Sequence, residues 1–136
     1  MDKEKLAIVE KLKCDYEEEK EIIECLSKIN DSQMLHVYML NYNWDDGLNI
    51  PQMIVENGKI ELSTAMLIFY MADGYSYLID REESHNPLRK NWEIFIKDLY
   101  QNILQGKFTK GEIGYKVPLS KVQKYCFCGY YLLRRH

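Results

Sequence analysis

"NPLRKNWEIFIKDLYQNILQG", Asn86 to Gly106, is the run that decides the fold class. Asn86 stands as an N-cap and Pro87 at the first helical position, where its missing N–H costs nothing. Leu88, Trp92, Phe95, Leu99 and Ile103 then recur at three- and four-residue steps as one apolar stripe, and Gly106 is the stop. The spacing predicts a helix from Asn86 to Gln105.

The same grammar extends back along the chain. Ser63 or Glu61 opens a helix that turns Ala65, Met66, Phe69 and Tyr70 inward, and Asp73-Gly74 closes it. Before it, Ile50, Met53 and Ile54 form the apolar side of a shorter helix that ends in "ENGK", Glu56–Lys59, with Gly58 free to turn left-handed. Asn49 as its cap places Pro51 in the first turn; Asp46 as its cap drives the proline ring a full turn deep, which is less comfortable. "NDS" at Asn30–Ser32 supplies the cap of a helix carrying Leu35, Tyr38, Met39 and Tyr42 inward. The first thirty residues read as helical through Leu6, Val9 and Leu12, then Ile22, Cys25, Leu26 and Ile29. A break or bend near Cys14–Glu17 is favoured over one long helix. After Gly106 the pattern decays. "YCFCGYYLL", Tyr125–Leu133, has the content of a short strand or a packed tail.

These elements predict an all-α fold, antiparallel helical hairpins stacked in one domain over residues 1–136, with a short β or irregular C-terminal extension over 107–136. With 136 residues, 46% hydrophobic, a real core is affordable; 7 Gly and 3 Pro are too few for a turn-rich all-β chain. A net charge of −3 offers no basic footprint for nucleic acid. "AMLIFYMA", Ala65–Ala72, is far short of a membrane span, and the charged "MDKEKLAIVEKLK" shows no signal peptide, so the expected location is cytoplasmic. The four cysteines suggest no disulfide framework. Cys14 and Cys25, eleven residues apart on a continuous helix, are too distant to bond and read as small core residues.

The chemistry-bearing residues are few. "NWDDG", Asn43–Gly47, places two carboxylates at a helix junction. A hard cation needs further oxygen ligands, and the following residues do not supply the spacing of a calcium loop. Turn-making and capping by an aspartate therefore outweigh a metal site. Trp44 reads as a core anchor whose indole N–H needs an acceptor; exposed beside two acids it would instead be an interface hot spot. His36, His85 and His136 fall in no catalytic motif. Cys126, Cys128 and His136 lack zinc-ribbon spacing. No catalytic residue, cofactor or metal site is expected. "EEEKEIIE", Glu17–Glu24, is an acidic run, ordinarily a solvated face, but with eleven tyrosines in the chain it also suits a surface for a basic protein.

Leu40 to Asp73 resembles the small bacterial family catalogued as domain of unknown function 4274. Its members carry a Tyr-Asn-Trp-Asp-Asp-Gly block, an Ile/Val-Pro step, an acid, Thr-Ala and an aromatic-rich helix ending in Asp. Those positions are Tyr42, Asn43, Trp44, Asp45, Asp46, Gly47, Ile50, Pro51, Glu61, Thr64, Ala65, Phe69 and Asp73. Glu61 replaces the family's Asp and Tyr70 its Trp. The resemblance covers about a quarter of the chain, within a helix-corner-helix core at 32–74. It implies a helical domain and no mechanism; small bacterial proteins of this type often neighbour secreted toxins as immunity proteins.

The leading expectation is therefore an interaction protein that blocks a cognate bacterial toxin. Glu17, Glu18, Glu21, Glu24, Trp44, Asp45 and Asp46 are its candidate contact residues. The alternatives are a metal-dependent hydrolase centred on Asp45, Asp46 and His36, and a structural subunit.

Overall fold

Apolar residues at helical spacing form seven α-helices among the residues that the computed structural model describes, 2–14, 18–80 and 86–116. They are α1 (Lys3–Cys14), α2 (Glu19–Ser27), α3 (Ser32–Leu40), α4 (Asn49–Glu56), α5 (Leu62–Met71), α6 (Gly74–Ile79) and α7 (Pro87–Leu104), with a 3-10 turn at Trp44–Asp46. No strand occurs among those residues, so the fold is all-α, as the periodicity predicts. Residues 107–116 are irregular, and the "YCFCGYYLL" expectation lies outside the described residues.

The helices alternate between two layers. α1 packs on α3, α3 on α5 and α5 on α7, while α2 packs on α4. α5 is the centre of the first layer, with Leu62 and Thr64–Tyr70 all buried, so it is apolar around its whole circumference. α3 supplies Leu35, Tyr38 and Met39, and α7 supplies Phe95, Ile96, Leu99 and Ile103. α1 contributes Val9 and Leu12, whereas Leu6, expected on the same stripe, is 41% exposed. The break between α1 and α2 puts Cys14 and Cys25 on separate helices; Cys25 is a half-buried free thiol.

Helix ends follow local chemistry. Asp31 caps α3, its Oδ1 accepting from the N–H groups of Gln33 (2.9 Å) and Met34 (3.2 Å). Lys5 of α1 donates to the other carboxylate oxygen, which holds the Asp31 carboxyl below its ordinary range. At the end of α5 the left-handed residue is Asp73 (φ 67°), not Gly74. Gly74 instead begins α6, an element that periodicity does not reveal. A Cβ there would collide with the fully buried Phe69 ring, so the glycine serves close packing. Residues 107–116 fold back on the start of α5: Phe108 is buried and the Leu62 N–H donates to the Thr109 carbonyl at 2.8 Å.

With only six residues, α6 packs on α5 and α7. Among the described residues a gap opens between α4 and α7. The candidate site is at this gap and at the corner next to it.

Candidate interaction site

The corner is built on Tyr42. Its buried hydroxyl donates to the Gly47 carbonyl at 2.7 Å, closing the loop across the 3-10 turn. Its ring meets Tyr38 at 6.2 Å and the edge of Trp44 at 5.1 Å and 89°. Asn43 caps the turn by accepting from the Asp45 N–H at 3.1 Å. Gly47 has φ 97° and ψ −168°, a backbone region essentially reserved for glycine.

Trp44 is half-buried against the core, and its indole N–H, fully buried, finds no acceptor among the described residues. Asp45 and Asp46 are exposed. They make the turn, as expected, but neither caps α4. The cap position is Leu48, with no side-chain hydrogen bond, so Asn49 is the first helical residue rather than the cap. Pro51, third in the helix, has no N–H and removes one of the donors a capping side chain would serve. The sequence reading of an Asp-capped or Asn49-capped helix is corrected on this ground; Pro51 does lie in the first turn.

The acidic run meets α4 at one residue. Glu18, Glu21 and Glu24 are exposed on or beside α2, Glu24 near Lys28 at 3.7 Å; Glu17 lies outside the described residues. Glu19, not among the residues singled out from sequence, is half-buried and accepts from Asn49 Nδ2 at 2.9 Å, joining α2 to α4. Burial, with the charges of Asp46 and Glu19 added, pushes the Tyr38 hydroxyl up to about 12. Burial pushes Tyr42 higher still, with Asp46, Tyr38 and Glu19 contributing in that order. Glu19 and Asp46 thus act on the same pair of phenols.

Beyond Asn49 lies a groove of about 600 Å³ between α4 and α7. Leu48, Val55, Trp92, Phe95 and Leu99 give it apolar walls. Its polar rim is made of Asn49, Gln52, Glu56, Asn91, Asp98 and Asn102, all carboxamides or carboxylates, with no Lys, Arg or His among the described lining residues. A hollow of about 430 Å³ adjoins it through Leu48 and Trp92, and has Trp44 and Met71 in its wall. There Trp92 donates from Nε1 to the Ala72 carbonyl at 2.6 Å, and the Arg89 guanidinium lies 4.7 Å from the indole centroid.

His36 is placed elsewhere. It is buried between α3 and α5, with Nδ1 2.7 Å from Thr64 Oγ1; burial lowers its pKa and the Glu61 charge opposes that. Among the described residues no three His, Cys, Asp or Glu converge as metal ligands, and no helix is long and apolar enough to cross a membrane. Cys126, Cys128 and His136 lie outside the described residues.

A family model described as Domain of unknown function (DUF4274) matches residues 30–104, α3 through α7. No curated protein and no solved structure matches the chain.

Proposed function

The chain belongs to that family of unknown function, and we propose that it is a small cytoplasmic interaction protein, an immunity protein that binds and blocks a cognate toxin. The observation that carries this reading is the Glu19–Asn49 hydrogen bond, which joins the acidic helix α2 to α4, the helix that follows the Trp44-Asp45-Asp46 corner. Glu18, Glu21, Asp45 and Asp46 stand in solvent, with Trp44 half-buried next to the two aspartates.

Exposed carboxylates of this density steer and orient a basic partner, and a tryptophan at their edge supplies desolvated contact area. Blocking would be steric and electrostatic: the acids neutralise a basic cleft in the toxin while the corner covers its entrance. Catalysis by this chain is not required.

The test is co-expression with the product of the adjacent gene. Protection of the cell and a 1:1 complex are expected. Absence of both would reject the immunity reading.

A further inference from the structure

We infer that the groove between α4 and α7 receives a cationic amphipathic helix of the protein partner. The inference rests on the binding reading above and names its anchoring contact.

Three observations converge on this occupant. Among the described residues an open groove of about 600 Å³ lies between α4 and α7. A helix packed against both would sit about 8–10 Å from each of them. Val55 and Trp92 are half-buried in its walls, the buried Phe95 and Leu99 form its floor, and Ile94 at its edge is 53% exposed. A partner's apolar stripe therefore has surface to bury there. The ionisable residues lining it are Glu56 and Asp98, both exposed, with Gln52 donating to Glu56 at 3.2 Å. With carboxylates and carboxamides alone at the rim, Lys or Arg flanking the partner's stripe is paired, and Asp or Glu there is repelled.

The experiment uses the full chain with p-benzoylphenylalanine in place of Ile94. A synthetic amphipathic Leu/Lys helix and its Leu/Glu counterpart are the probes. The Lys peptide is expected to bind and to take the cross-link, and the Glu peptide to do neither. Glu56→Lys/Asp98→Lys, and in lesser degree Glu56→Gln/Asp98→Asn, should weaken binding, the former by at least about tenfold. Replacing Glu18 and Glu21 by Gln, and Asp45 and Asp46 by Asn, should leave it within about twofold.

Equal affinity of the peptide for the folded Glu56→Lys/Asp98→Lys chain would overturn the inference. So would cross-links confined to a second copy or to the chain's own residues. Failure of the toxin complex with peptide docking intact rejects the immunity reading alone. A toxin complex indifferent to Glu56→Lys/Asp98→Lys rejects the groove alone.

Discussion

Asn49, the first residue of α4, donates to Glu19, the first residue of α2, at 2.9 Å across thirty residues of sequence. The pair ties the start of α2 to the start of α4. Asn49 also lines the α4–α7 groove, so the same side chain touches both the acidic helix and the slot.

The corner is held by its backbone and by Tyr42, not by its aspartates. Gly47→Ala is expected to cost about 1–3 kcal/mol from backbone strain alone, since its Cβ would meet nothing within 4 Å. Tyr42→Phe should cost about 1 kcal/mol through the lost bond to the Gly47 carbonyl. Asp45→Asn and Asp46→Asn should each change stability by less than about 0.5 kcal/mol. Chemical denaturation of the four variants checks the order; an Asp46 variant as costly as Gly47→Ala would restore a capping role.

The two tryptophans should respond differently to the same substitution. Trp92→Phe removes the donor to the Ala72 carbonyl and is expected to destabilise by about 1–2 kcal/mol. Trp44→Phe removes a buried N–H that has no acceptor among the described residues, so its lost area is offset and the net change should be near zero. Comparing the two denaturation midpoints decides it.

His36 makes stability fall on acidification. Burial holds its folded-state pKa below the ordinary 6.5, so the unfolded chain takes the proton first as pH drops. Its contribution is complete above about pH 6.5 and is lost below that, until the folded value is passed. His36→Gln should lower stability at neutral pH yet flatten the decline between about pH 7 and 5. A wild-type curve already flat across that window would contradict the buried, neutral imidazole.

Asp31→Ala is expected to cost about 1 kcal/mol at neutral pH through the cap of α3. Lys5 bonding holds the Asp31 carboxyl below its ordinary 3.8, so this contribution is complete above that value and disappears as pH falls through the folded-state pKa. The gap between wild type and variant should therefore close in acid. Lys5→Ala should change stability much less, because the lysine is solvent-exposed and the pair is screened.

Much of the fold was legible because it rests on local signals. Asn86-Pro87 and Gly106 bound α7 to within a residue, and Gly58 and Gly106 have positive φ as their positions suggested. α6 was not legible, since its place depends on Gly74 meeting the face of Phe69, a contact made only after packing. Leu6 keeps the apolar spacing of α1 but is left exposed by the packing. The aspartates attracted attention as a pair, whereas the capping is done by the less conspicuous Asn43 and the closure by Tyr42. The groove joins residues of α4 and α7 some forty positions apart, so no window of sequence contains it. Glu19 differs from its acidic neighbours only by meeting Asn49.

The central claim is that the exposed acids of α2 and of the Trp44 corner bind a basic partner protein. Its most direct test is the affinity for the adjacent gene's product as salt is raised, for the wild type and for a chain with Glu18, Glu21, Asp45 and Asp46 neutralised. The account predicts tight 1:1 binding that weakens steeply with salt, and a neutralised chain that binds more weakly with a much shallower salt dependence. Binding that ignores both salt and neutralisation would contradict it.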